Sequence, residues 1–156
     1  MRERTRTDYI AIHCSATKPT KDIGEDEIRA MHTARGWSDI GYNAVIRRDG
    51  RIEIGRPLDY AGAHIKEFNL LALGVCLVGG VGLNGKPENN FTPEQFESLE
   101  DLLRLLDRVY PGTIIRGHRD FFGDTNNDGV IDSRDWLKDC PCFDVQAWVK
   151  ERGIRS

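Results

Sequence analysis

Two short segments, DYIAIHCSA at 8–16 and LGVCLVGG at 73–80, are apolar at nearly every position. Runs of this length, rich in Ile and Val and without a 3.6-residue rhythm, predict strands buried on both faces. A sheet buried on both faces needs helices to cover it, and the rest of the chain supplies them. FTPEQFESLEDLLRLLDRVYPG at 91–112 is the clearest. Thr92 caps it, Pro93 takes the first turn and Gln95 completes a capping box. Phe96, Leu99, Leu102, Leu103, Leu106, Val109 and Tyr110 form one apolar face, and Pro111-Gly112 ends it. EDEIRAMHTARGW at 25–37 predicts a second helix stopped by Gly36, and FDVQAWVKERG at 143–153 a short third one. NAVIRRDGRIEIGRP at 43–57 is a hairpin turning at Asp49-Gly50, and TIIRGH at 113–118 is a strand that delivers His118 to its end. The expected fold is α/β: one domain over residues 1–156, with a central mixed β-sheet flanked by helices.

The chain has 156 residues and a formal net charge of −3, which gives no basic surface for nucleic acid. MRERTRTDYIAIHC lacks the apolar core and small-residue cleavage site of a secretory signal, and no run is long enough to span a membrane. The expectation is a monomer that needs another factor to release it if it acts outside the cytoplasm. Four cysteines stand at 14, 76, 140 and 142 and are expected as free thiols. Cys14 and Cys76 fall inside apolar runs and read as small buried hydrophobes. Cys140 and Cys142 flank Pro141 among polar residues and need another reason.

That reason lies in GHRDFFGDTNNDGVIDSRDWLKDCPCFD at 117–144, which opens on a histidine and closes on two cysteines. His13 and His118 each end a predicted strand, the edge at which α/β sheets bind ligands. With one cysteine of the Cys-Pro-Cys, they make a three-ligand zinc site that leaves a fourth position open, the catalytic arrangement. The residues alone do not choose between Cys140 and Cys142. His32 reads as a core histidine, and His64 sits in a polar loop where it lines a cleft or is simply exposed. Between His118 and Cys140, DTNNDGVIDSRD matches an EF-hand calcium loop by position. Asp124, Asn126 and Asp128 stand at 1, 3 and 5, Gly129 at 6, the Val130 carbonyl at 7, Asp132 at 9 and Asp135 at 12. Asp replaces the usual Glu at the last position.

YIAIHCSAT, GWSDIGYNAVIRRDG, GVCLVGG, NFTPEQFESLEDLL, GHRD and KDCPCFDV occur in this order. Together they resemble the zinc amidases of the phage T7 lysozyme type, which share a fold with peptidoglycan recognition proteins. The resemblance runs from about Asp8 to Val149. It implies an endolysin that cuts the amide between N-acetylmuramic acid and L-alanine in bacterial peptidoglycan. It implies zinc ligands at His13, His118 and Cys140, a catalytic lysine at Lys138 and an active-site tyrosine at Tyr42. It also implies a phage RNA polymerase as a second partner, with the N-terminal segment taking part. His64 is expected on the cleft wall as a substrate contact. The alternative is a non-catalytic peptidoglycan-binding module, in which the cysteine ligand is typically replaced. Two departures stand out: Asn43, where close relatives often carry His, and the insertion between His118 and Cys140.

Overall fold

The computed structural model describes residues 1–134, 136 and 138–154. Its elements follow in the order β1 (Tyr9–Cys14), α1 (Glu25–Ala34), β2 (Ala44–Ile46), β3 (Ile52–Ile54), β4 (Ala72–Leu77), α2 (Pro93–Val109), β5 (Ile114–Gly117) and α3 (Val145–Glu151), with a 3₁₀ turn over His118–Phe121 between the last two. The sheet runs β3-β2-β4-β1-β5. β2, β4, β1 and β5 are parallel and β3 closes one edge antiparallel, a mixed sheet as expected.

Alternation along the strands divides the sheet into two faces. Ile10, Ile12 and Cys14 of β1, Leu73, Val75 and Leu77 of β4, and Ala44 and Ile46 of β2 pack with Leu99, Leu102, Leu103 and Leu106 of α2 and Val145 and Val149 of α3. The opposite face is smaller. There Val45, Cys76 and Val78 meet Ile28 of α1 and Ile40, with Tyr42 half-buried against them. His13 lies in register with Cys76 at the β1–β4 pairing, on this second face. The larger core therefore occupies one side of the sheet, and the other carries a smaller apolar cluster with His13 beside it.

The predicted helix signals hold. The Thr92 hydroxyl accepts from the Gln95 backbone N–H at 3.1 Å, and the Gln95 side chain accepts from Thr92 N–H at 2.9 Å. Gln95 is fully buried, and its amide donates to the carbonyls of Ile46 and Val78 at 3.1 and 2.9 Å, which ties the start of α2 to the sheet. Gly36 follows α1 at a φ of +90°, a conformation that favours glycine at a helix stop. Val109, placed on the apolar face by its spacing, is 54% exposed as the last residue of α2.

Asn43 has a structural task. Its side chain is fully buried, donates to the carbonyls of Pro57 and Tyr60 and accepts from Gly74 N–H. The departure at 43 thus bears on the link between β4 and the loop after β3.

Candidate functional site

β1 ends at His13 and Cys14, and β5 ends where His118 begins the 3₁₀ turn. Because β1 and β5 are parallel neighbours, both histidines emerge at the same end of the sheet, with ring centroids 4.6 Å apart. The Cys-Pro-Cys loop closes over that edge. Arg119 N–H donates to the Cys140 carbonyl at 2.9 Å, which fastens the loop to the turn after β5. Cys14 N–H donates to Cys140 Sγ at 3.1 Å, which aims the thiol at the end of β1. Gly117 permits the approach, since a Cβ there would stand 2.8 Å from Pro141 Cδ.

The ligand atoms of His13, His118 and Cys140 lie within 4.8 Å of one another, and among the described residues this is the one group of three or more metal-type ligands that converges. Cys140 Sγ is 4.0 Å from His13 Nδ1. Cys142 turns elsewhere: its thiol donates to the Gly80 carbonyl at 3.3 Å. Of the two thiols, Cys140 is the one that meets both histidines. Hydrogen bonding to Cys14, then burial, raises the Cys142 thiol far above its usual range. Hydrogen bonding to Cys140 pushes Cys14 up to about 12. Both are poor thiolates.

Burial first, then the neighbouring His64, His118 and Lys138, holds His13 well below the usual 6.5. Burial and Lys138 bring His118 down to about 4. Both imidazoles are neutral at pH 7, the form that ligates a metal. Tyr42 stands with its ring 5.2 Å from that of His13, and burial raises its phenol well above 10. His13, Tyr42, His118, Lys138 and Cys140 all border one cleft of about 460 Å³, whose lining also includes Met31 and Trp37. These last two were not picked out from the sequence; a Met and a Trp left 40% and 39% exposed beside an amphipathic helix are the signal.

His64 departs from expectation. It borders the cleft, yet its Nδ1 lies 2.9 Å from His13 Nε2 and its Nε2 lies 3.1 Å from the Ala72 carbonyl. Both ring nitrogens are engaged within the protein, which leaves neither for a substrate. His32 matches its core reading: it is buried and its Nδ1 accepts from Gly41 N–H at 2.9 Å.

The acidic insertion forms a chain of tight turns. Asp124 accepts from the N–H groups of Asp128 and Gly129, Asn126 from Asp128 N–H, and Asp128 from Val130 N–H. Arg134 pairs with Asp128 at 2.9 Å and Asp132 at 2.7 Å, so a guanidinium holds these carboxylates. Asp135, the expected twelfth position, lies outside the described residues.

Residues 3–133 match the family model described as N-acetylmuramoyl-L-alanine amidase. Lys138 and Cys140 lie beyond that match, but pairwise likenesses reach them. The chain is 43% identical over 148 residues to the endolysin of Enterobacteria phage K11, covering 95% of this chain and 89% of that one. It is 42% identical over 153 residues to the endolysin of Escherichia phage T7, covering 98% and 92%. Among solved structures, the N-acetylmuramoyl-L-alanine amidase LysC from Clostridium intestinale URNW superposes with a TM-score of 0.73 at 26% identity, over 96% of this chain and 87% of that one. Drosophila PGRP-LB shares the fold, with a TM-score of 0.71 at 20% identity over 100% and 86%. A two-faced mixed sheet with two histidines and a cysteine at one end is thus matched along nearly its whole length by phage enzymes, and the chain belongs to the N-acetylmuramoyl-L-alanine amidase family as an endolysin-type peptidoglycan amidase.

Proposed function

We infer that the amidase chemistry of this chain runs on one zinc ion held by His13, His118 and Cys140, with Lys138 and Tyr42 serving the scissile amide between N-acetylmuramic acid and L-alanine. The observation that carries this reading is the convergence of the three ligand atoms within 4.8 Å among residues that line one cleft. The donor set fits zinc: two imidazole nitrogens and a thiolate suit it, whereas magnesium and calcium take oxygen. Three protein ligands also leave a position open. When bound, zinc supplies a Lewis acid and brings the pKa of a bound water to about 7.

The chain's own groups do the rest. Lys138 is exposed in the cleft, and its positive charge bears on both histidines. It is suited to stabilise the negative charge that builds on the carbonyl oxygen as the tetrahedral state forms. Tyr42 keeps its proton at neutral pH, so its role is that of a hydrogen-bond donor that orients the reacting groups. Retention of the cysteine, lysine and tyrosine together favours an enzyme over a peptidoglycan-binding module without activity.

The test is digestion of purified peptidoglycan with mass analysis of the new ends. Free lactyl groups on N-acetylmuramic acid with new L-alanine amino termini support the reading; new reducing sugar ends overturn it. Cys140→Ser should lose both zinc and lysis, while Cys142→Ser keeps them; the reverse would reassign the ligand.

Two further assignments belong to the same reading. The loop at 124–135 is assigned a structural calcium on its position-by-position spacing alone. A single-subunit phage RNA polymerase is assigned as a second partner, supported by the sequence resemblance alone and tested by pull-down. No helix among the described residues is long and apolar enough to cross a membrane.

A further inference from the structure

His64 occupies a slot that backbone glycines leave open. A Cβ on Gly74, in the middle of β4, would stand 2.8–2.9 Å from three atoms of its ring, and a Cβ on Gly62 would stand 2.5 Å from one of the same three, Cδ2. The loop that carries it is pinned too: Asn69 Oδ1 accepts from the N–H groups of both His64 and Ile65, at 2.9 and 3.0 Å. The ring meets that of His13 at 90°, with centroids 4.9 Å apart. So much fixing of one neutral side chain, against a residue that is itself 1% exposed, calls for a reason.

The proton inventory supplies it. A backbone carbonyl only accepts, so the His64 nitrogen that faces Ala72 must carry its hydrogen. A neutral imidazole has one N–H, so the other nitrogen of His64, Nδ1, is a bare acceptor. It faces His13 Nε2 at 2.9 Å, and that nitrogen must therefore be the donor. His13 is then left with its lone pair on Nδ1, the atom 4.0 Å from Cys140 Sγ. A single carbonyl in β4 thus dictates, through two rings, which nitrogen is free to ligate.

We propose that His64 is a positioning residue of the metal centre, one that locks His13 in the tautomer and orientation whose Nδ1 faces the ion. The proposal rests on the zinc reading above. Partners that hold a ligating histidine from outside the first shell typically matter by about 10–100-fold in metal affinity. A chain Ala72 carbonyl–His64–His13 does here what a carboxylate does in many zinc sites.

The test separates this role from catalysis and from folding. In the metal-free wild type, nitrogen NMR of the His13 ring should show a protonated Nε2 and a bare Nδ1. In chelator competition, His64→Leu should bind zinc about 10–100-fold more weakly. His64→Asn, whose side-chain oxygen overlays the imidazole Nδ1, should recover most of that loss. A protonated Nδ1 on His13, or a His64→Leu protein that binds zinc as tightly as wild type, overturns the proposal. If His64→Leu does not fold, the tautomer read in the wild type decides alone. A wild type that binds no zinc removes the zinc reading and this inference with it; a wild type that binds zinc equally well without His64 removes only this inference.

Discussion

Lys138 stands in solvent at the cleft, while His13 beside it is almost wholly buried. Substitution at the two should therefore do different things. Lys138→Ala removes a charge from the reacting region and no packing, so zinc content should stay at wild-type level while turnover on peptidoglycan falls by about 10²–10³. Tyr42→Phe should change turnover in the same direction, also with zinc retained. Metal analysis beside a dye-release assay reads both, and a Lys138→Ala enzyme at full rate would end the oxyanion role. Legibility also differs at this scale. His13 and His118 show in the sequence because each ends an apolar run. The tasks of His64 and Asn43 do not, because their partners lie far along the chain: His13 is 51 residues from His64, and Gly74 is 31 from Asn43. The available clue was Gly74, an isolated glycine inside a buried strand, which marks a close approach by something else.

At the scale of elements, α2, α1 and the β2–β3 hairpin could be read from caps and turn glycines, because those signals are local. The opposite holds for the segment from the 3₁₀ turn to α3. Its loop spacing suggests a cation, yet in the structure Arg134 holds Asp128 and Asp132, and the hydrogen bonds from Arg134 keep the Asp132 carboxyl down to about 2. Calcium must displace that guanidinium, so weak binding is expected, with Asp rather than Glu at the last position weakening it further. Millimolar calcium should raise the melting temperature, and Asp124→Ala with Asp128→Ala should erase the rise. A melting curve indifferent to calcium and to EGTA would leave Arg134 as the counter-ion of Asp128 and Asp132.

For the whole molecule, the buried histidines make a pH limit. His13 and His118 are depressed, and burial brings His64 down to about 3. Below the unfolded value of 6.5, the unfolded chain takes up protons that the folded chain refuses. Stability of the metal-free protein should therefore be full above about pH 6.5 and fall as pH drops toward the folded values. The slope is up to about 1.4 kcal/mol per pH unit for each deeply buried ring. Urea unfolding of chelator-treated protein at pH 7 and pH 5 measures it, and equal midpoints would refute it. The site's reach along the chain has another outcome. His13 and Cys140 meet across 127 residues, and every strand of the sheet is complete by Gly117. On the zinc reading, a product terminated shortly before Cys140 would carry all five strands yet lack one of the three ligands, and should bind no zinc and leave peptidoglycan uncut.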